Sequence, residues 1–95
     1  MKTPKTVAEL KRMLQVGQKI EMVRYNGGEP SEKIRGIGTV TKVQTNGVYI
    51  DRGHGNSFLD FPKSTNFAQS IERPGNFEIS SPGNYPITLE YRLIA

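Results

Sequence analysis

The chain has no cysteine, no tryptophan and a single histidine among its 95 residues. Without cysteine it forms no disulfide, no thiolate metal site and no cysteine nucleophile, which fits a reducing compartment. A stable metal site needs three or four converging ligands, whereas this chain offers one histidine and scattered carboxylates. We therefore expect no metal and no cofactor.

Long apolar runs are missing as well. No segment approaches the roughly 18–20 apolar residues of a membrane-spanning helix, and the start MKTPKTVAEL has no apolar core of signal-peptide length. These absences predict a cytoplasmic protein that does not contact a membrane. A chain of 95 residues has room for one modest core, so we expect one domain over residues 1–95.

Glycine and proline are abundant, with ten and six residues, and their clusters recur along the chain. Such spacing is typical of short strands joined by turns. One helix is expected at residues 6–15, where Thr6 and Glu9 form a capping-box pattern before an apolar stripe. Alternation of apolar and polar residues predicts strands at residues 18–25, 37–45, 48–52, 57–61, 77–80 and 86–94.

The segment KVQTNGVYID carries the clearest turn signal. Asn46 and Gly47 are a preferred pair at the centre of a two-residue type I′ hairpin turn. Counting outward from that turn gives a register in which apolar residues face apolar residues and a lysine faces an aspartate. The predicted pairs are Thr45 with Val48, Gln44 with Tyr49, Val43 with Ile50, and Lys42 with Asp51.

The last segment, ITLEYRLI, alternates cleanly, which predicts a strand with one buried face that pairs inside the sheet and closes it. The short helix must pack on another element, because two or three turns are marginally stable alone. The predicted fold is therefore mainly β (α+β). It is a small SH3-like, strongly bent antiparallel barrel of five to six short strands with one short N-terminal helix over one end.

Charge is uneven along the chain, which has a net charge of +4. Residues 1–50 carry nine Lys and Arg against four Glu, whereas residues 51–95 carry four Lys and Arg against five Asp and Glu. A basic half suits an acidic partner such as nucleic acid, but a modest lysine excess also simply keeps a small domain soluble. The candidate contact residues are Arg24, Tyr25, Lys33, Arg35 and Tyr49.

The segment DRGHGNSF holds His54 with Asp51 and Ser57 on either side. A catalytic triad requires these three groups in one hydrogen-bonded chain held by rigid elements, which a glycine-punctuated loop does not provide. We therefore favour a connecting loop in which Gly53 and Gly55 supply positive φ angles. A hydrolase that uses His54 is kept as a distant alternative.

The stretch VGQKIEMVRY and the stretch RGIGTVTKVQTNGVYI together resemble an SH3-like barrel of the KOW type. The whole pattern is also similar to uncharacterised small proteins of bacterial prophages and mobile elements. It runs from TVAEL through VGQKI, KVQTNGV and FPKS to LEYRL. The first resemblance implies the barrel, and the second implies a phage or mobile-element origin without a known activity.

These observations predict a small non-enzymatic binding or adaptor module that acts through protein–protein contacts, as a monomer or weak homodimer. It would use a sheet edge or an exposed aromatic patch around Tyr25, Tyr49 and Phe58. The main alternative is a nucleic-acid-binding small barrel that uses the basic N-terminal half.

Overall fold

The computed structural model describes residues 3–31, 35–53, 55–81 and 87–94. It is mainly β, with one short N-terminal helix, as predicted. Seven antiparallel strands form one sheet, rather than the five to six expected. The elements are α1 (Val7–Met13), β1 (Lys19–Tyr25), β2 (Gly36–Gln44), β3 (Gly47–Asp51), β4 (Asn56–Asp60), β5 (Phe67–Gln69), β6 (Asn76–Ser80) and β7 (Thr88–Ile94).

The helix begins at the predicted cap and ends two residues earlier than expected. The Thr6 hydroxyl oxygen accepts a hydrogen bond from the Glu9 amide at 3.1 Å. The Glu9 carboxylate in turn accepts one from the amide of Lys5 at 3.0 Å, one residue before the cap. Leu10 and Leu14 are fully buried, so the apolar stripe of α1 packs into the core.

The strands follow the order β4-β3-β2-β1-β7-β6-β5 across the sheet. Strands β1 to β4 form one meander and β5 to β7 form another. The two meanders join where β1 pairs with β7, six registered pairs long. The C-terminal strand therefore lies inside the sheet, between β1 and β6, as its apolar alternation predicts.

One face of the sheet carries the core and the other is mostly polar. Ile20 on β1 faces Leu93 on β7, and Phe77 on β6 faces Tyr91, so neighbouring strands present apolar residues to the same side. The buried core consists of Leu10, Leu14, Ile20, Met22, Val40, Val48, Ile50, Leu59, Phe77, Ile79, Tyr91 and Leu93.

Two irregularities bend the sheet around this core. The register shifts between Met22 and Arg24 where β1 meets β7, and again between Val40 and Lys42 where β2 meets β3. A β-bulge increases the local twist and turns the following residues to the other face. One consequence is that Arg24 pairs with Glu90 on the polar outer face.

The β2–β3 hairpin is formed, but the predicted register is wrong, because the β2 residues Lys42, Val43 and Gln44 each lie opposite a β3 residue two positions earlier than predicted. Gln44 lies opposite Gly47, Val43 opposite Val48, and Lys42 opposite Tyr49. The turn is therefore centred one residue earlier than expected, and the predicted pair of Lys42 with Asp51 does not form.

The reason lies at Gly47, which begins β3 instead of sitting in the turn. A Cβ at this position would lie 2.3 Å from the Leu59 carbonyl oxygen and 2.6 Å from the Phe58 ring. Among the described residues neither Asn46 nor Gly47 has the positive φ that a type I′ turn requires. The glycine is needed because β4 approaches closely, and turn chemistry alone does not reveal that.

Strand β5 was not predicted, because it is only three residues long and no alternation marks it. A 3-10 turn at Ser64–Asn66 precedes it. Within the described residues, β4 and β5 each pair on one side only. The sheet is not closed, so the predicted barrel is not confirmed. The molecule has an open, bent sheet with two edges.

Candidate functional site

A groove of about 340 Å³ opens on the core side of the sheet, between β4 and the ends of β6 and β7. Its floor is apolar and only partly covered, because Phe61 and Leu89 are half-buried while Ile79 and Tyr91 are buried. The groove is bordered by Phe58, Leu59, Asp60, Phe61, Pro62, Lys63, Asn66, Ile79, Ser80, Ser81, Leu89 and Tyr91.

One wall of this groove is the open edge of β4. The Phe61 amide donates to the Asn46 carbonyl oxygen at 2.9 Å, which sets the phase of the β3–β4 ladder. Hydrogen-bonded and non-hydrogen-bonded pairs alternate in an antiparallel ladder. The backbone groups of Leu59 therefore bond to β3, and those of Phe58 and Asp60 point to the open edge. Pro62 has no amide hydrogen and ends the edge.

The opposite wall is the end of β6, with the 3-10 turn at Ser64–Asn66 beside it. The Ser81 amide donates to the Ile87 carbonyl oxygen at 2.9 Å, so the backbone groups of Ser80 point away from β7. Strand β5 begins at Phe67, which pairs with Ile79, and the same register places Asn66 opposite Ser80. Among the described residues, the open strand edge of the groove is therefore that of β4.

The floor of the groove carries no charge. Burial raises the pKa of Tyr91 to about 12, so its phenol stays neutral over the physiological range. Close by, burial lowers the pKa of Arg52, whose guanidinium donates to the Ser57 hydroxyl. The Arg52 Nε atom is buried without a hydrogen-bond partner among the described residues. An apolar group suits the floor better than a charged one.

The rim of the groove holds two exposed charges of opposite sign, Asp60 and Lys63. In the described part of the chain neither belongs to an ion pair. Lys11 on α1 lies over the Phe61 ring, 5.4 Å from its centroid, and so shields one side of that ring. The rim therefore leaves both charges available to an occupant of the groove.

A second, more polar cavity of about 660 Å³ lies on the outer face, around Glu90. The Arg73 guanidinium donates to both Glu90 carboxylate oxygens at 2.7 Å, and the Asn76 amide donates to one of them at 2.6 Å. Glu78 on β6 is the cross-strand neighbour of Glu90 on β7. Because the buried carboxylate is already satisfied by its neighbours, we assign it a structural role.

Two candidate nucleic-acid contacts, Arg24 and Arg35, form hydrogen bonds within the segment between β1 and β2. Arg24 donates to the Gly27 carbonyl oxygen at 3.1 Å. Arg35 pairs with the exposed Glu29 at 3.1 Å and also donates to the Pro30 carbonyl oxygen. Both guanidinium groups therefore fasten the segment between β1 and β2. Lys33 lies outside the described residues.

The predicted aromatic patch is split between the two faces of the sheet. The Tyr49 and Phe58 rings pack edge to face at 4.9 Å on the outer face, beside Lys42. Tyr25 pairs with Leu89 at the end of β1, and its side chain is 40% exposed. The structure thus brings Tyr49 and Phe58 together but leaves Tyr25 apart from them.

The loop after β3 has the glycine conformations that the sequence predicts. Gly53 and Gly55 have φ angles of +89° and +110°. The Asp51 carboxylate accepts a hydrogen bond from the Gly53 amide at 2.8 Å, and the Ser57 hydroxyl is bonded to Arg52. Both groups thus have local structural partners. The predicted alternative at His54 lies outside the described residues.

The sequence alone does not reveal the groove. The alternation of β6 and β7 does place Ile79, Leu89 and Tyr91 on one face. No sequence signal reports that β4 stops short of β6, because that gap depends on the curvature of the whole sheet. The segment FLDFP, with an apolar run ended by proline, is the nearest local clue.

Comparison with known proteins gives no family for this chain. It matches no protein-family model, no curated protein and no solved structure. Among the described residues, no helix is long and apolar enough to cross a membrane.

Proposed function

We propose that this chain is a small, non-enzymatic binding module that recognises another protein through the groove beside β4. The observation that carries the proposal is a half-exposed apolar floor directly next to an unpaired strand edge. Such a combination is the usual basis for recognition of a peptide segment, in which the edge gives affinity and the pocket gives specificity. A cytoplasmic setting and a phage or mobile-element origin belong to the same proposal.

The nucleic-acid alternative is less well supported by the described residues. It requires a basic surface with free guanidinium and ammonium groups. Arg24 and Arg35 instead donate to backbone carbonyl groups of their own loop, and Arg35 also pairs with Glu29. We therefore rank protein recognition above nucleic-acid recognition.

Selection from a phage-displayed library of random dodecapeptides tests the proposed function. We expect selected peptides to bind the immobilised protein. The amide resonances of the protein that shift when a peptide is added should belong to residues around the groove. Leu89→Ala removes a half-buried side chain of the floor and should weaken binding at least tenfold. Ile71→Ala, at a loop residue that is 95% exposed and outside the groove, should leave binding unchanged.

The amide spectrum and melting temperature of each variant show whether it remains folded before its binding is compared. Failure to select any peptide contradicts the proposed function. So does equal binding by folded Leu89→Ala and Ile71→Ala variants, because contact would then lie elsewhere.

A further inference from the structure

We propose that the groove takes an extended segment of another protein, which adds to the open edge of β4 as an eighth strand and places alternate apolar side chains on the groove floor. This inference rests on the proposed function and specifies how recognition occurs. The backbone phase of β4 and the apolar floor of the groove support it.

The edge of β4 is chemically suited to a backbone. Phe58 and Asp60 direct their amide and carbonyl groups away from β3, into the open side. These groups recur every two residues, about 6.6–6.8 Å apart along a strand. Another extended chain repeats donors and acceptors with the same spacing, which a compact small molecule does not.

The ring of Phe58 does not obstruct this edge. It packs on the outer face against Tyr49, at 4.9 Å between centroids, and over Gly47. The part of Phe58 that borders the groove is therefore its backbone side, which an added strand would contact.

The groove floor favours apolar side chains on the face of the added strand that contacts it. Leu59, Phe61, Ile79, Leu89 and Tyr91 border the groove, and none of them is charged at neutral pH. Successive residues of a strand point to opposite faces, so every second residue of the occupant meets this floor. Those residues are expected to be apolar, and the residues between them face solvent beside Asp60.

The groove gives an occupant room beside β4. Its volume is about 340 Å³, and its far side is the end of β6, where Ser80 lies opposite Asn66 of the 3-10 turn. An occupant paired with β4 would therefore cover the floor from the β4 side.

A second copy of this chain is a poor occupant. Its own edge strands carry Leu59, which is 6% exposed, and Phe67, which packs against the core. These apolar side chains are already used within their own molecule and are not free to enter a neighbour's groove. A flexible or terminal segment of a different protein has no such competing contact.

The experiment uses the dodecapeptides selected on the full chain, resynthesised with N-methyl groups. Methylation of every second amide in one phase removes the donors that face β4, whereas the other phase removes donors that face away. We expect one phase to weaken binding at least tenfold and the other to change it by less than threefold. In the complex, exchange of the Phe58 and Asp60 amides should slow at least tenfold.

Substitutions at Asp60 test the same contact by changing the protein instead of the peptide. Asp60→Pro deletes an amide that points outward and is not needed by the β3 ladder, and proline is tolerated on edge strands. It should fold and lose at least tenfold in affinity. Asp60→Asn keeps the amide and removes only the charge, so it should bind nearly as well as the parent chain.

The outcomes separate the two proposals. If both methylation phases are neutral and the amides are not protected, while Leu89→Ala still weakens binding, strand addition is overturned and the groove remains the binding site. If no dodecapeptide is selected, both proposals fail. Sedimentation of the free chain at high concentration gives a third outcome, since a dimer that protects Phe58 and Asp60 would make a second copy the occupant.

Discussion

Glu90 shows how a charge is kept inside a small polar cluster. Its side chain is 4% exposed and accepts three hydrogen bonds, two from Arg73 and one from Asn76. The hydrogen bonds from Arg73 lower the pKa of this carboxyl group, and Asn76 adds to the effect, whereas burial acts in the opposite direction. The ionised form of Glu90 is therefore a part of the folded structure.

Substitution of Glu90 by Gln should lower the free energy of unfolding by about 1–3 kcal/mol, because a charged acceptor is lost and Arg73 keeps only its longer ion pair with Glu72, at 3.5 Å. Glu29→Gln is the matched control. Its ion pair with Arg35 is exposed, at 87% and 54% of the side chains, so we expect a change below about 1 kcal/mol. Urea denaturation at pH 7 measures both, and equal effects would contradict the structural role of Glu90.

The same residue predicts an acid dependence. Because the pKa of Glu90 is lower in the folded chain, its contribution is complete above the unfolded pKa of about 4.3. That contribution is lost as the pH falls from there through the folded pKa. The parent chain should therefore lose more stability than Glu90→Gln when the pH is lowered from 5. Parallel curves for the two proteins would refute this linkage.

Tyr91 predicts an alkaline dependence of opposite sign. Burial raises its pKa to about 12, so its contribution is complete below the unfolded pKa of about 10 and is lost as the pH rises towards 12. Tyr91→Phe removes this ionisation. We expect the stability of the parent chain to fall more steeply than that of the variant between pH 10 and 12, as followed by circular dichroism in urea.

At the scale of elements, the β2–β3 hairpin shows how packing overrides a turn preference. A type I′ turn at Asn46 and Gly47 is locally favourable, but β4 lies too close to Gly47 for any side chain. The observed register pairs Val43 with Val48 and aligns Lys42 with Tyr49. A local motif identified the hairpin, while the neighbouring strand decided its register.

Gly47→Ala should therefore lower the free energy of unfolding by about 1–3 kcal/mol, because the added Cβ would overlap the Leu59 carbonyl oxygen and the Phe58 ring. Gly28→Ala is the control. Its nearest contact would be the Tyr25 carbonyl oxygen at 3.7 Å, and its φ is not positive, so we expect a change within about 0.5 kcal/mol. Thermal or urea unfolding compares them, and equal stabilities would argue against the close approach of β4.

At the scale of the whole molecule, the positive charge is distributed rather than concentrated. In the described residues Arg35, Arg73 and Arg92 each pair with a glutamate. These pairs occupy single arginines, and none of them joins a cation of residues 1–50 to an acid of residues 51–95. A net charge of +4 by itself then acts mainly on solubility.

We expect little binding to short single- or double-stranded DNA or to RNA at about 200 mM salt, and only weak, delocalised amide shifts at about 50 mM. Titration of the labelled chain at both salt concentrations measures this. Salt-sensitive shifts concentrated at Arg24 and Arg35 would reverse the ranking of the two functions. The same titration with the selected dodecapeptides provides the positive control.

The sequence by itself determined the class of fold, because alternation and turn residues act locally. The apolar stripe that follows the Thr6 cap predicts the short helix. The alternation of apolar and polar residues around Tyr91 predicts a strand. Six of the seven strands overlap the predicted ranges for that reason.

Only the tertiary structure decided the hairpin register, the presence of β5 and the gap beside β4. These features depend on contacts between residues distant in the chain, such as Gly47 with Leu59 and Arg73 with Glu90. The open edge lies on β4 of the first meander, whereas Ile79, Leu89 and Tyr91 of the floor lie on β6 and β7 of the second. The two meanders meet only where β1 pairs with β7. No local pattern encodes that curvature, so the site emerges from packing of the whole sheet.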